Sequence, residues 1–230
     1  MKSIFIKLST LILIIANTAC SKSSDTNIGK TNIQLSNASQ GGSSNFYVNG
    51  NMVKENLGYP SSTGFMNIDG GMSSLYATPW RSTSVLAAAN IVFEPQKCYT
   101  VFLIDSLTKA KIISVVSDTV ASAMPDFSKV RFFNFSPNSP ALDIKVSNLG
   151  TVNNDYTITN LSFNDQESNS NKLAFREVYY GGYQIDVYLA GTTNLIYTHN
   201  LTFLKNTNYT FFIKGAYGQS DFGIGAVTHN

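Results

Sequence analysis

Asn32-Ile33-Gln34-Leu35-Ser36-Asn37-Ala38-Ser39 returns later in the chain as Lys129-Val130-Arg131-Phe132-Phe133-Asn134-Phe135-Ser136. Two further marks follow each copy in the same order. Gly70-Gly71 is echoed by Gly181-Gly182, and Tyr99-Thr100-Val101-Phe102-Leu103-Ile104 by Tyr209-Thr210-Phe211-Phe212-Ile213. The spacing from glycine pair to Tyr-Thr is nearly equal in the two copies. A repeat this long is a pair of tandem domains, not a solenoid of short units. The 230 residues leave room for two such domains, each of about 100 residues.

Inside the second copy the apolar pattern has period two, the strand signature. Leu142, Ile144 and Val146 alternate with Asp143, Lys145 and Ser147. Tyr183, Ile185, Val187 and Leu189 alternate with Gln184, Asp186, Tyr188 and Ala190. Leu201-Thr202-Phe203 and Tyr209 to Ile213 add strands. In the first copy Phe46 and Val48 lead into Asn49-Gly50, a hairpin signal because both central residues of a type I′ turn need positive φ. Ala190-Gly191-Thr192 and Leu149-Gly150 mark other turns. No window carries a helical period; Val85 to Ile91 is apolar but short. The expected fold is all-β: two tandem antiparallel β-sandwiches, immunoglobulin-like or transthyretin-like. They would occupy residues 31–120 and 128–230, joined by 121–127, a junction short enough to let the domains touch. Asn160 to Lys172 is a longer polar insertion in the second copy; it reads either as a binding loop on a rigid scaffold or as a neutral surface insertion.

The N-terminus has the layout of a signal peptide over residues 1–19. Lys2 and Lys7 supply the positive region, Leu11 to Ala16 the apolar core, and Thr18-Ala19 the small residues before Cys20. That layout reads as export, and the apolar run is too short for a membrane-spanning helix. A cysteine directly after such a site resembles a lipobox, although Asn17 stands where an aliphatic residue is usual. Lipidation of Cys20 is the expectation, with ordinary secretion and an incidental cysteine as the alternative. Several acyl chains at about 0.8 kcal/mol per CH2 would anchor the protein to a membrane. Residues 20–30, polar and small, read as a flexible tether.

Composition narrows the partners. Apolar residues make up 43% and charged residues 13%, too apolar for a disordered chain. Removal of the leader takes away Lys2 and Lys7 and no acid, bringing the formal charge from +2 to zero. A neutral chain without Lys/Arg clusters argues against nucleic acid as a partner. With Cys20 acylated, Cys98 has no disulfide partner, and beside Tyr99 and Val101 it reads as a small buried side chain.

Val130-Arg131-Phe132-Phe133-Asn134-Phe135-Ser136-Pro137-Asn138-Ser139-Pro140-Ala141-Leu142-Asp143-Ile144 resembles the opening of the family called domain of unknown function 4397. The resemblance continues through Gly182-Tyr183-Gln184-Ile185-Asp186-Val187 and Tyr209-Thr210. It covers most of the second copy and, more weakly, the first, where Gln40-Gly41-Gly42 replaces the prolines and no Asp matches Asp143. It implies β-sandwich domains in secreted or lipid-anchored bacterial proteins of the Bacteroidota type, located at the cell envelope or outer membrane, with no assigned activity. The residues themselves suggest turn-forming roles for Asn134 and Ser136; Asp143 reads as a solvent-facing residue of an alternating strand, not a ligand contact.

Catalytic signatures are lacking. His199 lies in a strand or turn and His229 in the tail, which makes no metal box with distant Cys98. Asp155, Asp165 and Glu167 are acids in polar turns whose spacing fits no calcium loop or glycosidase pair. No cofactor or metal is expected, and the chain reads as non-enzymatic. Asp105-Ser106-Leu107 and Asp118-Thr119-Val120 resemble an Asp-Ser/Thr-apolar acceptor for O-glycans, making Ser106 and Thr119 candidate modification sites. Trp80, with Tyr76 nearby, is the candidate ligand contact if exposed; buried, it completes the first core. The functional expectation is a lipid-anchored extracytoplasmic binding or structural module with a glycan or envelope protein as partner. The alternatives are a carbohydrate-binding accessory lipoprotein and a hydrolase.

Overall fold

A computed structural model describes residues 29–106, 109–117, 125–152 and 154–229. Cys20, the leader, Thr119 and most of the junction lie outside the described residues.

The first sandwich is built from β1 (Lys30–Asn37), β2 (Ser44–Val48), β3 (Asn51–Leu57), β4 (Ser61–Ser62), β5 (Met66–Asp69), β6 (Gly71–Pro79), β7 (Ala87–Phe93), β8 (Cys98–Ile104) and β9 (Lys111–Val116). One sheet runs β3-β2-β6-β7; the other runs β4-β1-β8-β9, with β5 also on β1. The second is built from β10 (Phe127–Asn134), β11 (Leu142–Asn148), β12 (Tyr156–Leu161), β13 (Arg176–Tyr179), β14 (Gly181–Leu189), β15 (Leu195–Phe203), β16 (Asn208–Lys214) and β17 (Gly223–His229). Its sheets run β12-β11-β14-β15 and β13-β10-β16-β17. Apart from β4, each strand of one copy has its counterpart in the other. β1 begins at Lys30, the last residue of the stretch read as tether.

Among the described residues the regular elements are strands, as the period-two pattern demands, apart from two short 3-10 turns at Asp165–Glu167 and Ser170–Leu173. Pairing is antiparallel except in one place per copy: β1 runs parallel to β8 and β10 parallel to β16. The expected antiparallel sandwiches thus each carry one parallel pair. A parallel neighbour requires a long connection, and here the connection is most of the domain. Asn49-Gly50 forms the expected tight turn with both φ angles positive, at 51° and 80°.

Register corrects the alignment of the copies by one residue. Gly71 pairs with Phe93, and Gly181 pairs with Phe203, so Gly71 corresponds to Gly181. Both glycines open their strands at positive φ, 91° and 134°, where a side chain would be strained.

Each sandwich has its own core. Ile33, Leu35, Phe46, Leu75, Phe93 and Val101 fill the first, and Val130, Phe132, Ile144, Ile185, Phe203 and Phe211 the second. A third cluster joins them: Ala38, Phe102, Ile104, Ile113 and Val115 of the first sandwich against Phe133, Phe135, Phe212 and Val227 of the second. The sheets carrying β1 and β10 are therefore inner sheets, packed on each other. The sheets carrying β2 and β11 are outer sheets. That accounts for the apolar runs of β8 and β16. A strand buried on both faces loses its alternation, whereas β11 and β14 keep theirs because one face meets water.

Candidate functional site

The paired Tyr-Thr marks acquire distinct jobs in the fold. Tyr99 and Tyr209 point into their own cores. The next residues, Thr100 and Thr210, are fully buried between the sandwiches. Beside them on the parallel partner strands lie Gln34, opposite Thr100, and Arg131, opposite Thr210. Ser117 and His229, just past β9 and at the end of β17, complete matching trios.

The two trios form one network. Arg131 Nε donates to Thr210 Oγ1 at 2.8 Å, its Nη2 to Ser117 Oγ at 2.9 Å, and its Nη1 to the carbonyls of Val116 and Leu173 at 2.9 and 3.1 Å. Ser117 Oγ and Thr100 Oγ1 are 2.8 Å apart. His229 contacts Thr210 Oγ1 through Nε2 at 2.7 Å, and Gln34 Oε1 and Thr100 Oγ1 through Nδ1 at 3.2 and 3.3 Å. Phe175 lies 4.1 Å from the guanidinium carbon and edge-on to His229. Burial lowers the Arg131 pKa to about 9, so it stays charged at neutral pH. Burial, then the neighbouring Arg131, pushes His229 down to about 3 and keeps it neutral. The histidine read as lying in the tail is thus 1% exposed in the joint, because β17 pairs along its whole length with β16.

Around the network the joint is aromatic. Phe102 lies edge-on to Phe135, Phe212 and Phe133 at 5.1, 5.9 and 6.3 Å. The polar insertion braces one side. Lys111 of β9 pairs with Glu167 at 2.5 Å, Gln166 is buried, and Phe163 and Leu173 pack on the aromatic cluster. The insertion is therefore a strut between the sandwiches.

The other singled-out residues do not converge. Asn134 Nδ2 donates to Ser139 Oγ and the Leu161 carbonyl, while its Oδ1 accepts the Ser136 N–H. Asn37 repeats this with Gly42, Leu57 and Ser39. Asp143, expected to face solvent, accepts the N–H groups of Asn160 and Gly191 at 2.8 and 2.9 Å; Asn45 does the same for Asn56 in the first copy. These are structural roles. Asp155 accepts the Asn148 N–H, and Asp165 lies 3.8 Å from Lys172. His199 is exposed on β15, and Cys98 is half-buried rather than buried, with its sulfur 3.8 Å from Asn32 Nδ2. Ser106 is half-buried, its hydroxyl bonded to the Lys109 carbonyl. Among the described residues no group of three His, Cys, Asp or Glu could hold a metal ion, and no helix is long and apolar enough to cross a membrane.

The outer sheets differ in chemistry. On the first, cross-strand neighbours Met52, Tyr47, Tyr76 and Ala88 form a row, with Tyr47 and Tyr76 stacked at 4.4 Å. Met72 and Val92, 74% and 62% exposed, pair further along the same face, with the exposed polar pair Ser74–Asn90 between them and the row. At the positions of Tyr47 and Tyr76 the second copy has Lys145 and Asp186, and Gly182 and Thr202 replace Met72 and Val92. Trp80 follows β6, is 39% exposed, and carries the Arg81 guanidinium 3.9 Å over its ring.

Sequence reading expected the domains to touch but missed the part that Arg131 and His229 play between them. Its signal was an arginine in an otherwise apolar strand, Val130-Arg131-Phe132-Phe133, opposite a Tyr-Thr run lacking alternation.

Comparison with known proteins adds the following. The model of the family described as Domain of unknown function (DUF4397) matches residues 31–145. The match covers the first sandwich and enters β11, so the first copy, which resembled the family more weakly, carries most of it. No curated protein matches. Among solved structures, the Bacillus anthracis TIE protein aligns with a TM-score of 0.26 at 10% identity over 81% of this chain and 34% of its own. The chain thus spans about a third of that protein. A Parabacteroides distasonis protein described as a cell adhesion candidate aligns with a TM-score of 0.25 at 8% identity, covering 87% of this chain and 98% of its own.

Proposed function

The chain belongs to the family of domain of unknown function 4397, and on that footing we propose that it is a non-enzymatic binding module of the bacterial envelope. It is held at a membrane by acylated Cys20 and docks a protein partner through the outer sheet of its first sandwich. One observation carries the docking: Met52, Met72 and Val92 stand exposed, with half-buried Tyr47 and Tyr76 on the same face, where the second copy is polar or has glycine. An apolar surface retained on one copy of a repeat has a use outside the fold. The joint, by contrast, commits Arg131, His229 and both threonines to holding the sandwiches together. A carbohydrate ligand is the second reading, drawn from Trp80. It is weaker because Arg81 covers one face of that ring and Tyr76 is stacked on Tyr47.

A photo-crosslinking residue at Met72, with one at Thr202 as control, tests the docking in native membranes. Adducts of defined mass from position 72 alone support the reading; equal yields from both positions, or none, overturn it. Fatty-acid labelling that survives in Cys20→Ser would remove the anchor.

A further inference from the structure

The two copies differ along one edge of their first strands. In the first sandwich the free side of β1 is covered without a break. β5 pairs as far as Ile33 and β4 takes Ser36 and Asn37. Thr63 fills the gap between them. Its Oγ1 accepts the Leu35 N–H at 3.0 Å, its N–H donates to the Leu35 carbonyl at 2.9 Å, and its own carbonyl accepts from Gln34 Nε2 at 2.8 Å.

In the second sandwich β13 pairs only as far as Val130, and the next bond on that side joins the Asn164 N–H to the Asn134 carbonyl. Phe132, the counterpart of Leu35, has no partner like Thr63 among the described residues. At this place a pocket of about 120 Å³ opens, lined by Phe132, Arg131, Tyr156, Asn171, Lys172 and Arg176. That is several times the roughly 30 Å³ share of one water molecule.

The charges there are unbalanced. Arg131, 3% exposed, finds only neutral acceptors: two hydroxyls and two carbonyls. A buried cation is ordinarily paired with an anion. Arg176 lies 4.1 Å over the Tyr156 ring and forms no ion pair with a described residue. Lys172 donates to the Thr159 carbonyl and has Asp165 only at 3.8 Å. No carboxylate lines the pocket.

From this we infer that the pocket is a binding site for a small oxyanion, a carboxylate or phosphate group. One oxygen takes the Phe132 N–H, the role of Thr63 Oγ1 in the first copy, while Arg176 and Lys172 supply charge-assisted contacts at the mouth. Arg131 lies behind as the fixed positive charge. A neutral ligand would satisfy the N–H and leave the cations uncompensated.

Calorimetric titration of the full chain with sodium phosphate and, separately, sodium acetate tests this, with sodium chloride at matched ionic strength as the blank. Lys172→Gln/Arg176→Gln is the comparison variant, since both residues line the pocket and neither belongs to the aromatic cluster of the joint. Saturable binding of either anion, weakened tenfold or more in the variant, is the expected result; the tighter anion identifies the source chemistry. In the unmutated chain the Phe132 amide resonance should move with occupancy. No saturable heat with either anion, equal affinity in the variant, or a Phe132 amide that stays put under saturation would each overturn the site.

Discussion

Asn37 and Asn134 show how much one side chain can settle. Each donates once and accepts once within the turn that follows the first strand of its copy, donates again to a distant strand-end carbonyl, Leu57 or Leu161, and is fully buried. Asn134→Ala leaves the Leu161 carbonyl and the Ser136 N–H without these partners, a cost of about 1–3 kcal/mol measurable by urea unfolding. His229 gives a pH-dependent prediction. Its folded pKa of about 3 lies below the ordinary 6.5, so between those values the unfolded chain binds the extra proton. Stability from this group is fully present above pH 6.5 and is lost as pH falls towards 3, by up to about 1.4 kcal/mol per pH unit. Unfolding of His229→Gln across that window should show a shallower loss than the unmutated chain; parallel curves would refute it.

At the scale of elements, the inner strands are the demanding ones. β17 meets β16 so closely that a Cβ on Gly225 would lie 2.5 Å from the Phe212 ring. Gly225→Val must displace an aromatic of the joint, and overpacking of this kind costs about 1–3 kcal/mol. The strut formed by the insertion is held differently. Lys111 and Glu167 keep 44% and 50% of their side-chain surface in water, where such a pair contributes about 0–1 kcal/mol. Lys111→Ala should therefore shift the denaturation midpoint little, with the strut kept in place by Phe163 and Leu173.

For the whole molecule, the shared aromatic cluster predicts that the two sandwiches unfold together. Calorimetry should give one transition for the unmutated chain. Phe102→Asp puts a charge among Phe133, Phe135 and Phe212, and should split the transition in two while leaving both cores intact. A single transition in that variant would mean that the cores communicate by another route.

Sequence by itself determined the strands, the twofold repeat and which face of each alternating strand is apolar, because those follow from side-chain period and turn chemistry. Leu142, Ile144 and Val146 declare a core face without reference to anything distant. It also marked Asn134 as a turn former, an interaction within a few residues. It could not place Arg131 or His229, since their partners are 14 to 195 residues away along the chain. The unbroken apolar runs of β8 and β16 announced burial on both faces but not what covers them. Only the tertiary structure decided that the cover is the sister sandwich, because an apolar face specifies that it must be buried and not which surface buries it. The same holds for Met52, Met72 and Val92 on the outer sheet of the first copy, which the fold leaves in water.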